Sequence, residues 1–362
     1  MIEPATHCSH VLDGTLGYRL FENAYVVPYY AWGKSVGGVM DNNGNDVYDS
    51  EYSEWKTDWQ YYQEEAKTVH KKAIYLGFLI RVFGHSFTDN LKKLWFLNTK
   101  ECKYLIKNGW ELVFTSSENR DLPDYVYSFC KLAGFDISSA RAITSITRFD
   151  QICVPDSSFI AGNCGRKYHA EYRKAIENIL NKVPLGGNTP SKIYFSRTKC
   201  QGSNKEFGEY AIEQEFKKGG YTVIYPEEHS IEEQIQMVRN CNCLAATEGS
   251  VSHLSIFCKP ETNVVLINKA RYMNFHQVMI NEFSDLNVTY IEAHHSIKAN
   301  SQRPWWGPFY LCVNKHFERF WGHRIVHLPY WLKYSYWEYS HNILYKCLKK
   351  IRKTILWKHS TH

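Results

Sequence analysis

The sequence predicts an α/β fold built as two units, and three observations carry that prediction. Between Lys192 and Asn268, short apolar strands alternate with polar-amphipathic helical stretches and a small-residue turn, the rhythm of a βαβ nucleotide-binding unit. Strand and helix also alternate from Ala73 to Pro155. Between these stretches, Val183-Pro-Leu-Gly-Gly-Asn-Thr-Pro190 is dense in Pro and Gly and reads as a boundary. The expected division is residues 1–188, residues 189–300 and a C-terminal segment over 301–362.

Composition narrows the function classes. With 362 residues, 44% hydrophobic and 22% charged, the chain can build two cores and is not a disordered protein. Aromatics reach 15%; aromatic faces bind sugars, but the excess by itself fits core filling better. A net charge of +6 is too small for a dedicated nucleic-acid binder. Much of it sits at the end, where Lys346, Lys349, Lys350, Arg352, Lys353 and Lys358 stand without an acid among them. The 11 cysteines are odd in number and irregularly spaced, and Met1 is followed by neither a basic nor an apolar leader region. Reduced thiols in a cytoplasmic protein are therefore expected. Cys241-Asn-Cys243 is too tight for a zinc knuckle and reads as buried packing. No stretch approaches the roughly 18 apolar residues of a spanning helix. Asn287-Val-Thr289 matches a glycosylation acceptor, discounted without a secretory leader.

Taken in order, residues 1–70 read as irregular, with a turn at Asp41-Asn-Asn-Gly-Asn-Asp46. That turn resembles a calcium loop only in its first ligands. Ala73–Phe83 reads as a strand. Phe87, Leu91, Leu94 and Trp95 then recur at helical spacing, so Gly84–Leu97 reads as a helix that places His85 and Asp89 at a strand end. Glu111–Thr115 is a strand, Pro123–Gly134 a helix, Ala142–Arg148 and Gln151–Val154 strands, and Tyr168–Leu180 a helix. In the second unit, Lys192–Ser196 is a strand, 207–219 a helix and Tyr221–Tyr225 a strand. Ser230-Ile-Glu-Glu233 is a capping box whose helix turns Ile231, Ile235 and Val238 inward. Cys243–Ala246 is a buried strand, Glu248-Gly-Ser250 turns into a helix through Phe257, and Asn263–Ile267 is the next strand. Residues 301–340 have no regular period. From Asn342, Leu344, Cys347, Leu348, Ile351, Ile355 and Leu356 form one helical stripe with the cations mostly off it. Such a basic amphipathic helix suits an anionic membrane surface, or else docks on the protein with its basic face in water.

Two features of the second unit suit a nucleotide diphosphate. Arg197, Lys199 and Lys205 cluster after a strand end, and Gly249 and Ser250 open a helix, with His253 one turn on. A solvated basic loop beside a helix cap is the plainer alternative. Neither a Walker A loop nor Gly-x-Gly-x-x-Gly is present, which disfavours phosphoryl and hydride transfer.

Ile193-Tyr-Phe-Ser-Arg197, Gly220-Tyr221, Pro226–Gln234 and Glu248-Gly-Ser-Val-Ser-His-Leu-Ser-Ile-Phe257 resemble bacterial glycosyltransferase family 61, found among capsule and exopolysaccharide biosynthesis proteins. Gly84-His-Ser-Phe-Thr-Asp-Asn-Leu-Lys-Lys-Leu-Trp95, Phe149-Asp150, Val154-Pro155 and Phe275-His-Gln277 are similar too, so the likeness spans roughly residues 70–285. Here Lys205 and Gly208-Glu209 stand where the family has a second Arg and Asn-Glu, and Asp89 stands for the more usual Glu. The resemblance implies a GT-B-like fold, two Rossmann-like domains facing across a cleft, followed here by the basic helix. It also implies an inverting, metal-independent hexosyl or pentosyl transferase. The absence of an Asp-x-Asp agrees on metal, and no cofactor is expected.

The implied partners are a nucleotide-sugar donor and a glycan acceptor, lipid-linked if the basic tail holds the protein on the inner membrane face. The expected donor-binding residues are Ser196, Arg197, Lys205, Glu248, Gly249, Ser250 and His253. His85 and Asp89 are the candidates for the base, or else caps of their turn. A non-catalytic saccharide- or nucleotide-binding subunit of an assembly complex is the rival reading.

Overall fold

The structure, a computed structural model, describes residues 9–30, 35–50, 66–116, 121–162, 165–186, 189–200, 206–270, 273–294, 309–325, 344 and 347. Residue contacts divide the chain into Met1–Leu185 with Phe275–Ser284, and Gly186–Asn274 with Asp285–His362.

The first unit runs β1 (Ser9–Leu12), β2 (Tyr18–Glu22), β3 (Tyr25–Tyr30), β4 (Ser35–Met40), β5 (Lys67–Leu79), α1 (Lys100–Lys107), β6 (Glu111–Ser116), α2 (Asp124–Leu132), β7 (Arg141–Ala142), β8 (Thr147–Pro155), β9 (Phe159–Gly162), β10 (Gly165–His169) and α3 (Ala170–Lys182). Its main sheet has the order β4-β3-β8-β5-β6-β7, with β2 also on β8. Strands β8, β5, β6 and β7 are parallel, whereas β2 and β3 run antiparallel to β8. This mixed sheet differs from the all-parallel sheet expected of a Rossmann-like domain. A smaller sheet joins β1, β10 and β9. Ala73–Leu79 is buried throughout, as a continuous apolar run covered on both faces should be. Residues 1–70 are not irregular where they are described. Strands β2 and β3 are short; β3 forms a hairpin with the nearby β4, but both join the main sheet through β8, more than a hundred residues away. The Asp41 loop is a turn, as expected, closed by Asp41 Oδ1 accepting from the Asn43 and Asn45 amides.

The helix expected over Gly84–Leu97 is instead three short 3-10 turns, Phe83–Ser86, Asp89–Leu91 and Leu94–Asn98, followed by α1. The apolar residues at helical spacing are buried, but so are Asp89, Asn90 and Lys93. Asn90 acts as a backbone surrogate: its Oδ1 accepts from the Ile80 amide at 2.7 Å and its Nδ2 donates to the Ile80 carbonyl at 2.9 Å. The Lys93 ammonium donates to the Pro155 carbonyl, and its stem passes Gly77 at 3.4 Å from where a Cβ would stand. These inward bonds, made from several sides of the segment, are incompatible with one amphipathic helix.

The second unit runs β11 (Lys192–Phe195), β12 (Glu206–Phe207), α4 (Glu209–Lys218), β13 (Thr222–Ile224), α5 (Ile231–Asn240), β14 (Cys243–Thr247) and β15 (Asn263–Asn268). The chain then forms α6 (Phe275–Phe283), which belongs to the first unit, before β16 (Asn287–Glu292), β17 (Phe309–Tyr310) and α7 (Lys315–Trp321). Strands β13-β11-β14-β15-β16 make an all-parallel sheet. Counted along the chain this is the order 2-1-3-4-5, a doubly wound sheet whose switch point lies between β11 and β14. The capping box forms in full, with Ser230 N donating to Glu233 at 2.7 Å and Glu233 N to Ser230 Oγ at 3.2 Å. Helix α7 lays Phe317, Phe320 and Trp321 against Phe216 of α4.

Apart from Leu344 and Cys347, both helical and exposed, the expected basic helix from Asn342 lies outside the described residues. No helix among the described residues is long and apolar enough to cross a membrane.

Candidate active site

In the first unit, the Asn90 clamp holds the turns after β5 so that His85 and Asp89 meet. Nδ1 of His85 lies 2.6 Å from Oδ2 of Asp89, and Thr88 Oγ1 donates to the same oxygen at 2.9 Å. From α6, Nε2 of His276 reaches it at 3.1 Å. On β10, the Arg166 guanidinium lies 3.3 Å from Nδ1 of His276. A guanidinium only donates, so that Nδ1 accepts, and the His276 proton is on Nε2, directed at Asp89. The short contact to the carboxylate puts the His85 proton on Nδ1 in the same way. His85 is the most exposed member, its side chain 26% exposed against 1% for Asp89 and 6% for His276.

The electrostatics agree. Burial alone would raise the Asp89 carboxyl, but His276 and then His85 hold it well below the usual range. Burial lowers His276, against the pull of Asp89 and with the help of Arg166, so its imidazole is neutral at pH 7. A buried anion thus orients an accessible imidazole, the arrangement of a general base and its positioning groups. The same three side chains are a donor set for a divalent cation, their ligand atoms within 4.8 Å of one another. Arg166 argues for the hydrogen-bonded form: it adds a positive charge and keeps a proton on the His276 nitrogen that a cation would need.

In the second unit, Arg197 and Gly249 follow the carboxyl ends of β11 and β14, the strands flanking the switch point, where doubly wound sheets bind ligands. Ser196 is fully buried and spends its hydroxyl on Glu213 Oε2 at 2.7 Å. Arg197 Nε donates to Glu206 Oε2 at 2.6 Å, and the Arg197 amide donates to Glu209 Oε1 at 3.0 Å. Glu209 also receives the Tyr194 hydroxyl at 3.1 Å. Burial, and then the charge of Glu206, push Glu209 up to about 7. Glu248 is buried, accepts from the Asn274 amide at 3.0 Å, and burial pushes it up to about 7 as well.

Gly249 has φ +143° and its amide is taken by Ser252 Oγ at 3.1 Å. The helix expected from Ser250 is a six-residue 3-10 turn, Ser252–Phe257, too short to contribute a useful dipole. Ser250 is half-buried ahead of it and His253 is buried within it. Lys199 turns aside to Glu228 at 3.0 Å, and Lys205 lies outside the described residues.

The structure therefore joins His85 with Asp89 in one unit and sets Arg197 and the Gly249 turn at the ends of adjacent strands in the other. Three functional candidates escaped the sequence reading. His276 and Arg166 reach the carboxylate from distant elements, and only the likeness of Phe275-His-Gln277 to a family segment pointed at the former. Lys269 follows β15 directly, a strand-end cation of the kind sought only at Arg197. Its ammonium donates to Glu206 Oε1 at 2.5 Å and lies 3.0 Å from where a Cβ on Gly249 would be.

A family model described as Glycosyltransferase 61 matches residues 83–265. That span includes His85, Asp89, Arg166, Arg197 and Gly249 and stops short of Lys269 and His276. No curated protein matches the chain.

Proposed function

We propose, from the premise that this chain belongs to glycosyltransferase family 61, that it is an inverting, metal-independent hexosyl or pentosyl transferase. It moves a sugar from a nucleotide sugar to a glycan acceptor in surface polysaccharide biosynthesis, for capsule, exopolysaccharide or O-antigen. Family membership makes the chain a glycosyltransferase, with a nucleotide-sugar donor and a glycan acceptor as its substrates.

The observation that carries the mechanism is the 2.6 Å contact between His85 Nδ1 and the buried Asp89 carboxylate, which orients the partly exposed imidazole so that Nε2 would serve as the base. That nitrogen takes the proton of the acceptor hydroxyl as its oxygen bonds to the anomeric carbon. The bond from that carbon to the donor phosphate oxygen breaks in the same step, and its electron pair leaves with the nucleoside diphosphate. One displacement inverts the anomeric centre. The charge gained by the leaving group falls to Arg197, with the Gly249–Ser250 turn giving close backbone approach. In this reading the basic tail holds the protein on the cytoplasmic face of the membrane.

The test is transfer from a panel of nucleotide sugars, with the anomeric configuration of the product read by NMR. An inverted product from wild type and a loss of turnover in His85→Ala and Asp89→Asn are expected. Near-normal turnover in both folded variants would overturn the base assignment. Truncation from about residue 342 should reduce sedimentation with anionic vesicles without changing transfer to a soluble acceptor.

A further inference from the structure

The carboxyl end of the second unit's sheet holds a cluster of largely buried charges. Glu206, 3% exposed in its side chain, is gripped by two cations, Lys269 on Oε1 and Arg197 on Oε2. Both cations are largely buried, at 13% and 21% exposure, and come from strand ends on either side of β14. The Lys269 ammonium also lies 4.6 Å from the centre of the Phe309 ring and against the bare Cα of Gly249. Two buried cations need an anion between them, because desolvated like charges repel. Here the chain supplies that anion itself, on the two-residue strand β12, which pairs with β17.

We propose that Arg197 and Lys269 form the diphosphate site, and that Glu206 is an internal stand-in for the phosphate, releasing one or both cations when a nucleoside diphosphate arrives. The inference rests on the nucleotide-sugar reading above and deepens it. Lys269 takes the second-cation role that the sequence assigned to Lys205. An ammonium is a point charge on a flexible stem, so it can turn from carboxylate to phosphate without the fixed fork of a guanidinium. Gly249 leaves the space beside that ammonium free of a side chain, which lets a phosphate reach both the backbone and Lys269. The buried acids Glu209 and Glu248 flank the site and, with pKa values near 7, add less than a full negative charge each at neutral pH. The site therefore stays receptive to an anion.

The arrangement makes opposite predictions for the two kinds of partner. Titration calorimetry of the full chain with UDP, GDP, CDP, ADP and inorganic pyrophosphate reads them directly. Lys269→Gln should weaken the diphosphate that wild type binds by about tenfold or more, the loss of one charge-assisted contact. Lys269→Arg should recover part of that affinity. Glu206→Gln, which removes the competing charge at constant size, should tighten binding several-fold. A purely structural ion pair gives a different pattern: Lys269→Gln binding as wild type does, or Glu206→Gln binding more weakly while its melting curve shows it folded. Either result overturns the inference and leaves the transferase reading standing. If Glu206→Gln does not fold, the contrast between Lys269→Gln and Lys269→Arg decides alone. If wild type binds none of the five probes, the nucleotide-donor reading falls and this inference with it.

Discussion

His85 Nδ1 and Asp89 Oδ2 lie 2.6 Å apart, four residues apart in sequence, on two successive 3-10 turns rather than one α-helix. Asp89 is fully enclosed, so it touches no substrate itself and acts by fixing which nitrogen of His85 carries the proton. Replacing His85 by Ala should lower kcat by about a hundred- to ten-thousand-fold, the usual contribution of a general base, with little change in donor KM. Asp89→Asn should cost nearly as much, since an amide can hold the ring in the wrong tautomer. Added imidazole should restore part of the activity of His85→Ala and none of that of Asp89→Asn. Rescue of both alike would refute the orienting role.

The same residues separate hydrogen bonding from metal binding. If Arg166 keeps the His276 proton on Nε2, overnight treatment with EDTA should leave turnover unchanged, and added zinc should inhibit by displacing that proton. Loss of activity with EDTA and recovery with a divalent cation would identify His85, Asp89 and His276 as ligands instead.

Acid sensitivity follows from the burial of His276. Its pKa in the folded protein lies below the usual 6.5, so in the unfolded chain the imidazole takes up its proton at a higher pH. As pH falls through 6.5 the unfolded state binds more protons, and stability declines. Asp89 acts lower: its depressed pKa stabilises the fold fully above 3.8, and that contribution is lost as pH falls below it. His276→Gln keeps a donor for Asp89 but does not titrate. The gap in urea midpoint between wild type and this variant should narrow from pH 7 to pH 5. A gap that widened instead would show that His276 is protonated in the folded state, and a constant gap that folding leaves its pKa unchanged.

The legible parts of this fold are those whose cause is local. Ser230 and Glu233 announce α5 three residues apart, and the apolar runs at Ile193, Leu244 and Val264 become the buried parallel strands they resemble. Gly84–Leu97 misled because period alone cannot tell an amphipathic helix from 3-10 turns whose polar side chains also point inward. Asn90 and Lys93 decide the matter through bonds to Ile80 and Pro155, neither visible as spacing. The antiparallel strands β2 and β3 depend on β8, and the Asp89 site is completed by His276, 187 residues further on. For the site, the sequence held one half of each cluster: His85 and Asp89 without His276 and Arg166, Arg197 and Gly249 without Lys269 and Glu206.

Gly249 is the position where backbone and chemistry are least separable. Its φ of +143° is one that a side chain rarely adopts, and a Cβ there would stand 3.0 Å from the Lys269 ammonium. Gly249→Ala should therefore destabilise the second unit by about 1–3 kcal/mol, the typical strain of such a conformation. The flexible end of Lys269 can yield, so the fold should survive while the ammonium is pushed off its place beside Glu206. Nucleoside diphosphate affinity should fall in this variant even at temperatures where circular dichroism shows it native. Ala substitution at Gly220, whose φ is +81° with nothing within 4 Å, provides the control: a positive-φ backbone, no contact with Lys269, and unchanged affinity. Equal loss of binding in both variants would mean that strain alone, and not the Lys269 contact, accounts for the effect at Gly249.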